Sequence, residues 1–170
     1  MGLAPSFELD LAELEKRHRE LSRVVHPDKF ANTPAAERRR ALSRAVDVNE
    51  SLRVLRDPIR RAEALLSIAG VPYGENKEPR PAPALLMEML SIRKELSAAS
   101  GAKDRSALEA LLAKGRARER AVEAKLAAMF PDLLAQRDPA LGQRTLETLG
   151  ELRYARRFSE EASAFLEDLG

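Results

Sequence analysis

The residues best placed to do chemistry stand together at His26-Pro27-Asp28-Lys29. An imidazole and a carboxylate two residues apart flank a ring that fixes its own φ and restrains the residue before it. Three uses follow from these types. The pair could move a proton as acid and base. The carboxylate could grip an arginine in a bidentate pair. Or the stretch could be an ordinary loop, with Asp28 a turn former. Acid–base catalysis needs a third group, a nucleophile motif or a phosphate loop at readable spacing. The chain offers none, so it is not expected to be an enzyme.

The flanking segments must position this corner. Leu11, Leu14, His18, Leu21 and Val25 fall on one stripe at about 100° per residue, which predicts a helix over Leu11 to Val25. Lys16, Arg19 and Arg23 form a row on its opposite face, and Pro27 stops it. His18, on the apolar stripe, is expected to pack in the core and do nothing further. A second helix is expected from about Pro34 to Leu55, with Thr33 as N-cap, Pro34 at the first helical position and Glu37 in the first turn. Leu42, Ala45, Val46, Asn49, Leu52 and Leu55 recur along it at helical intervals, and Arg38-Arg39-Arg40 reads as a solvated face. Asp57-Pro58 starts another helix, which Gly70 ends.

Val71 to Pro83 carries Pro72, Gly74, Asn76, Pro79, Pro81 and Pro83, which no helix crosses. The expected organisation is therefore 1–70, a proline-rich linker at 71–83, and 84–170. In the last part, Leu85, Met89, Ile92 and Leu96 form one stripe, while Leu86, Met87 and Leu90 form a second apolar cluster around the same helix. That second cluster is either a buried second side or an exposed patch for a partner. A long helix follows over Asp104 to Phe130, with Leu108, Leu111, Leu112, Val122, Leu126 and Met129 inward. Gly115 is its weak point, and Pro131 ends or kinks it. Asp138-Pro139 caps the last helix, which runs to about Leu169 on a near-heptad seam of Leu152, Ala155, Ala162, Leu166 and Leu169. Three helices with short joints make an antiparallel bundle.

Composition narrows the function. At 170 residues, 44% hydrophobic and 33% charged, the chain reads as globular and all-α, with Leu and Ala doing the packing. The net charge of +2 is spread evenly, with no general basic excess, so no nucleic-acid partner is expected. With no cysteine and two histidines, no metal site and no cofactor are expected, and thiolate ligation of an iron–sulfur cluster is excluded. No 18-residue apolar run and no targeting segment is legible, so no membrane is expected and a cytoplasmic location follows.

A basic helix, a His-Pro-Asp corner and a return helix together resemble a J-domain. Leu21-Ser22-Arg23-Val24-Val25-His26-Pro27-Asp28-Lys29-Phe30, then Val48-Asn49-Glu50-Ser51-Leu52, Leu55-Arg56-Asp57-Pro58 and Arg61-Ala62-Glu63-Ala64-Leu65-Leu66, resemble the HscB branch of J-proteins, the co-chaperones of iron–sulfur cluster assembly. The resemblance implies a J-domain hairpin joined to a C-terminal client-binding bundle. That family opens with a further helix, of which nothing is legible ahead of Leu9, so a hairpin without it is expected.

The same resemblance implies two partners. A DnaK-class, HscA-like chaperone ATPase would be engaged by His26, Pro27, Asp28 and Lys29 with Lys16, Arg19 and Arg23, and its ATP hydrolysis favoured. An IscU-like scaffold protein would dock on Leu86, Met87 and Leu90, with Tyr154 where the family has an aromatic. The family adds acidic residues to that docking face; their positions here hold Ser91, Lys94 and Ala98. The alternative is a J-domain co-chaperone that serves a different client through the same bundle.

Overall fold

The computed structural model describes residues 2–73 and 82–169, so residues 74–81 of the expected linker lie outside the described residues. Among the described residues, regular structure is entirely helical: α1 (Leu11–Val24), a 3-10 turn (Pro27–Phe30), α2 (Ala35–Arg56), α3 (Pro58–Ala69), α4 (Pro83–Gly101), α5 (Arg105–Gln136) and α6 (Pro139–Glu167). The chain forms two compact units, Met1–Leu65 and Leu66–Gly170.

In the first unit, Asp10 starts α1: its Oδ1 accepts from the amides of Ala12 at 2.9 Å and Glu13 at 3.2 Å, satisfying two donors the helix leaves open. Ahead of it, residues 2–9 form no helix. Their Phe7 is nonetheless buried, its ring centroid 4.9 Å from the Arg61 guanidinium. α1 and α2 make the hairpin, with Leu14 and Ala41 buried between flanks that stay open.

Three expectations for the hairpin change. Thr33 does not cap α2: Pro34 is the N-cap residue, and the Thr33 hydroxyl donates to the Phe30 carbonyl at 2.8 Å, tightening the turn instead. Leu42 and Val46 are 56% and 59% exposed, not core. At about 100° per residue the covered stripe of α2 is Ala41, Ala45, Val48, Leu52 and Leu55, and a two-helix hairpin covers only one such face. His18 is half-buried and polar-bonded, its Nε2 3.0 Å from Asn49 Oδ1 and 3.3 Å from Ser22 Oγ. On that stripe it faces a side-chain amide of α2 rather than an apolar partner.

The second unit begins within α3. Gly70, at φ +79°, closes that helix, and the Val71 amide reaches back to the Leu66 carbonyl at 2.9 Å. This i+5 bond satisfies a terminal carbonyl, and the left-handed residue it needs is least strained as glycine. α4, α5 and α6 then form the antiparallel three-helix bundle. Asp104 and Asp138 cap α5 and α6 through their side chains. Leu96, Ala99, Leu108, Leu111, Phe158 and Ala162 form one end of the core. Leu126, Phe130, Leu133, Leu149 and Leu152, each at most 1% exposed, continue burial along α5 and α6.

Pro131 does not end α5, which continues to Gln136. A mid-helix proline costs about 3 kcal/mol. Phe130 and Leu133, buried on either side of it, offset that by roughly 1.5–3 kcal/mol each. Gly115 is no weak point either. A Cβ there would lie 2.6 Å from Ser159 Oγ and 2.9 Å from Phe158 Cδ1, so the missing side chain is what lets α6 approach α5.

Candidate functional site

The corner between α1 and α2 is built by local bonds. Val25 closes α1 with its amide on the Leu21 carbonyl at 3.0 Å. His26 turns out at φ −60°, ψ 129°, the extended geometry a following proline favours. Pro27 opens the 3-10 turn, and the Lys29 amide donates to the His26 carbonyl at 3.1 Å. The Asp28 amide donates to His26 Nδ1 at 3.4 Å, so the neutral imidazole keeps its proton on Nε2, which faces outward as a donor. Asp28 Oδ2 lies 3.5 Å from the same Nδ1, and its side chain is 88% exposed. The carboxylate is therefore free to accept a guanidinium from outside.

Lys16, Arg19, Arg23 and Lys29 are all exposed. Lys16 lies 4.0 Å from Glu13, whose carboxyl is held below the usual carboxylate range chiefly by its hydrogen bond to Arg17 at 2.8 Å. Arg17 thus neutralises Glu13 from the side, and the row itself stays positive. At 1.5 Å per residue, Lys16 to Arg23 spans about 10 Å along α1. The hairpin brings all seven of the expected residues to one end and one flank.

Sequence reasoning missed what lies beside the corner. Ser22, Val25, His26 and Pro27 face Leu42, Ala45, Val46 and Asn49 across a groove of about 300 Å³. The signal was present in the pattern: Leu42, Val46 and Asn49 sit about 100° away from the covered stripe of α2.

On α4, Leu86, Met87 and Leu90 are 46%, 68% and 58% exposed, which makes the second apolar cluster a surface patch and not a second buried side. Tyr154 stands apart from it. Its hydroxyl donates to the Met89 carbonyl at 3.1 Å, and it lines a separate cleft of about 440 Å³ with Leu85, Met89 and Ile92. Burial, the largest cause, raises its hydroxyl above the ordinary value. Tyr154 therefore holds the inner side of α4, while the triad faces out. No cluster of three or more potential metal ligands exists among the described residues, and no described helix is long and apolar enough to cross a membrane.

An all-helical chain with an exposed His-Pro-Asp corner at the tip of a basic hairpin, and a three-helix bundle in its second unit, is a J-protein co-chaperone by class. The HSCB C-terminal oligomerisation domain matches residues 81–163. The co-chaperone protein HscB homolog of Burkholderia mallei is 36% identical over 167 residues, covering 98% of this chain and 91% of that protein. The chaperone HscB from Vibrio cholerae superposes with a TM-score of 0.83 at 30% identity, covering 99% of this chain and 96% of that one. Human HscB shares the fold, with a TM-score of 0.84 at 22% identity, covering 96% of this chain and 78% of that one. This chain belongs to the HscB family of co-chaperones.

Proposed function

We propose that this chain serves iron–sulfur cluster assembly by stimulating the ATPase of a DnaK-class, HscA-like chaperone and delivering an IscU-like scaffold protein to it. The observation that carries the reading is the exposed corner at the end of a positive row. The row steers an acidic chaperone surface into place, an effect on encounter rate more than on final affinity. The Asp28 carboxylate then competes for an arginine at the joint between the chaperone's domains, and the Leu42–Val46 groove shelters an apolar segment beside it. The corner changes a rate only if it binds one state of the chaperone better than another. The α4 patch holds the scaffold meanwhile, and two sites on one chain turn a three-body encounter into a local one.

The test is single-turnover ATP hydrolysis by the chaperone with and without this protein. Asp28→Ala should fold as the parent does, because its side chain is 88% exposed, and should lose stimulation. Undiminished stimulation would reject the role of the corner. Leu86→Ala with Met87→Ala and Leu90→Ala should abolish scaffold binding in calorimetry and leave stimulation by the protein alone unchanged. A second reading, a J-protein with a different client, is favoured by the exposed Lys94 on the docking face, and scaffold binding by the parent protein decides between the two.

A further inference from the structure

The outer face of α4 is apolar for two turns and then carries a single charge. Leu90 and Lys94 are four residues apart, so the ammonium follows the Leu86, Met87, Leu90 triad on the same face, about 6 Å along the axis. Both are exposed. Among the described residues Lys94 makes no ion pair, whereas its neighbours are engaged: Arg93 lies 3.8 Å from Glu161, and Glu88 2.8 Å from Arg118. The residues one turn away from it on this face are Leu90, Ser91, Ser97 and Ala98, so helical pairing offers it no acid.

We infer that Lys94 sets client specificity: the α4 face takes a protein surface that presents an apolar hollow and, about 6 Å beyond it, a carboxylate that pairs with Lys94. This rests on the reading of the triad as the client dock and adds the partner's charge. An unpaired cation beside an apolar patch costs little while solvated but rejects a partner that brings a second cation, which is how one charge discriminates. A second copy of this chain is a poorer occupant, because the same face of a copy has no carboxylate to offer Lys94.

The experiment is titration calorimetry of the full chain against the purified cognate scaffold protein at about 50 mM and 500 mM salt. Three proteins are compared: the parent, Lys94→Glu, and the triple alanine variant of Leu86, Met87 and Leu90. Lys94→Glu should weaken binding by about five- to tenfold at low salt and by less than about twofold at high salt. The triple variant should fail at both. A Lys94→Glu protein that binds as tightly as the parent, while the triple variant fails, would overturn the charge assignment and leave the dock standing. A triple variant that binds like the parent would remove the dock, and this inference with it. Since Lys94 is exposed, an unchanged circular dichroism melt of Lys94→Glu excludes a folding defect. Sedimentation that shows the parent self-associating through this face, and Lys94→Glu monomeric, would also overturn it.

Discussion

Two glycines in the bundle should respond to the same substitution with opposite signs. Gly115 in α5 and Gly150 in α6 are both interior to helices, where glycine is about 1 kcal/mol worse than alanine. Nothing lies within 4 Å of a Cβ built at Gly150, so Gly150→Ala keeps the whole propensity gain and should stabilise by up to about 1 kcal/mol. At Gly115 the new methyl would sit 2.6 Å from Ser159 Oγ and 2.9 Å from Phe158 Cδ1. The Phe158 ring is 4% exposed and cannot swing into water, and the Ser159 hydroxyl is committed to the Ala155 carbonyl at 3.1 Å. Overpacking of this kind costs about 1–3 kcal/mol, so after the propensity gain Gly115→Ala should lose roughly 1 kcal/mol. For a chain of this size, 1 kcal/mol moves the melting temperature by about 2–4 °C. Circular dichroism at 222 nm on the two variants and the parent reads it directly. If Gly115→Ala melts at or above Gly150→Ala, the helices do not cross as closely as described, and the support beneath α4 must be rethought.

Two further outcomes test the sites. Reversing Lys16, Arg19 or Arg23 to Glu should slow association with the chaperone by up to about fivefold each at low salt, with the difference shrinking above 0.5 M, measured by stopped-flow fluorescence. A salt-independent loss would mean these residues act by packing, not charge. For Tyr154, burial keeps the hydroxyl protonated in the folded bundle at pH values where the unfolded chain has lost that proton. Its stabilisation is thus complete below the ordinary value near 10 and is lost as pH rises through the higher folded value. Tyr154→Phe should remove that alkaline decline and cost about 1 kcal/mol at neutral pH through the lost bond to the Met89 carbonyl, which urea titrations at several pH values would show.

Local chemistry is what the sequence made legible. Asp10, Asp57, Asp104 and Asp138 each accept from the first amides of a helix, because an aspartate ahead of an apolar-periodic run has few better uses. The extended corner at His26 follows from Pro27 alone. What failed needed knowledge of a neighbour. Pro131 reads as a stop until the burial of Phe130 and Leu133 is weighed against it. Gly115 reads as a weak point until Phe158 and Ser159 are placed over it. Tyr154 was grouped with the triad by resemblance, and only coordinates put its hydroxyl on the inner side of α4.

The same reasoning explains why the two partner surfaces were not equally readable. The corner is defined within four residues, so its exposure is nearly forced by a proline and a short turn. The α4 patch is not. Periodicity shows that the helix has two apolar stripes, Leu85, Met89, Ile92, Leu96 and Leu86, Met87, Leu90, and it is symmetric between them. The choice is made by whichever stripe finds α5 and α6. Leu96 is 0% exposed and packs with Leu108 and Phe158, and that anchor rotates the other stripe outward. Leu96→Ala should therefore do more than leave a cavity costing about 2–5 kcal/mol. By releasing the anchor it should let α4 turn, protecting Met87 and exposing Met89, so hydrogen-peroxide oxidation followed by peptide mass spectrometry should favour Met87 in the parent and both methionines in the variant. If Met87 stays the preferred target in a destabilised Leu96→Ala protein, the outward face is fixed by something other than this contact.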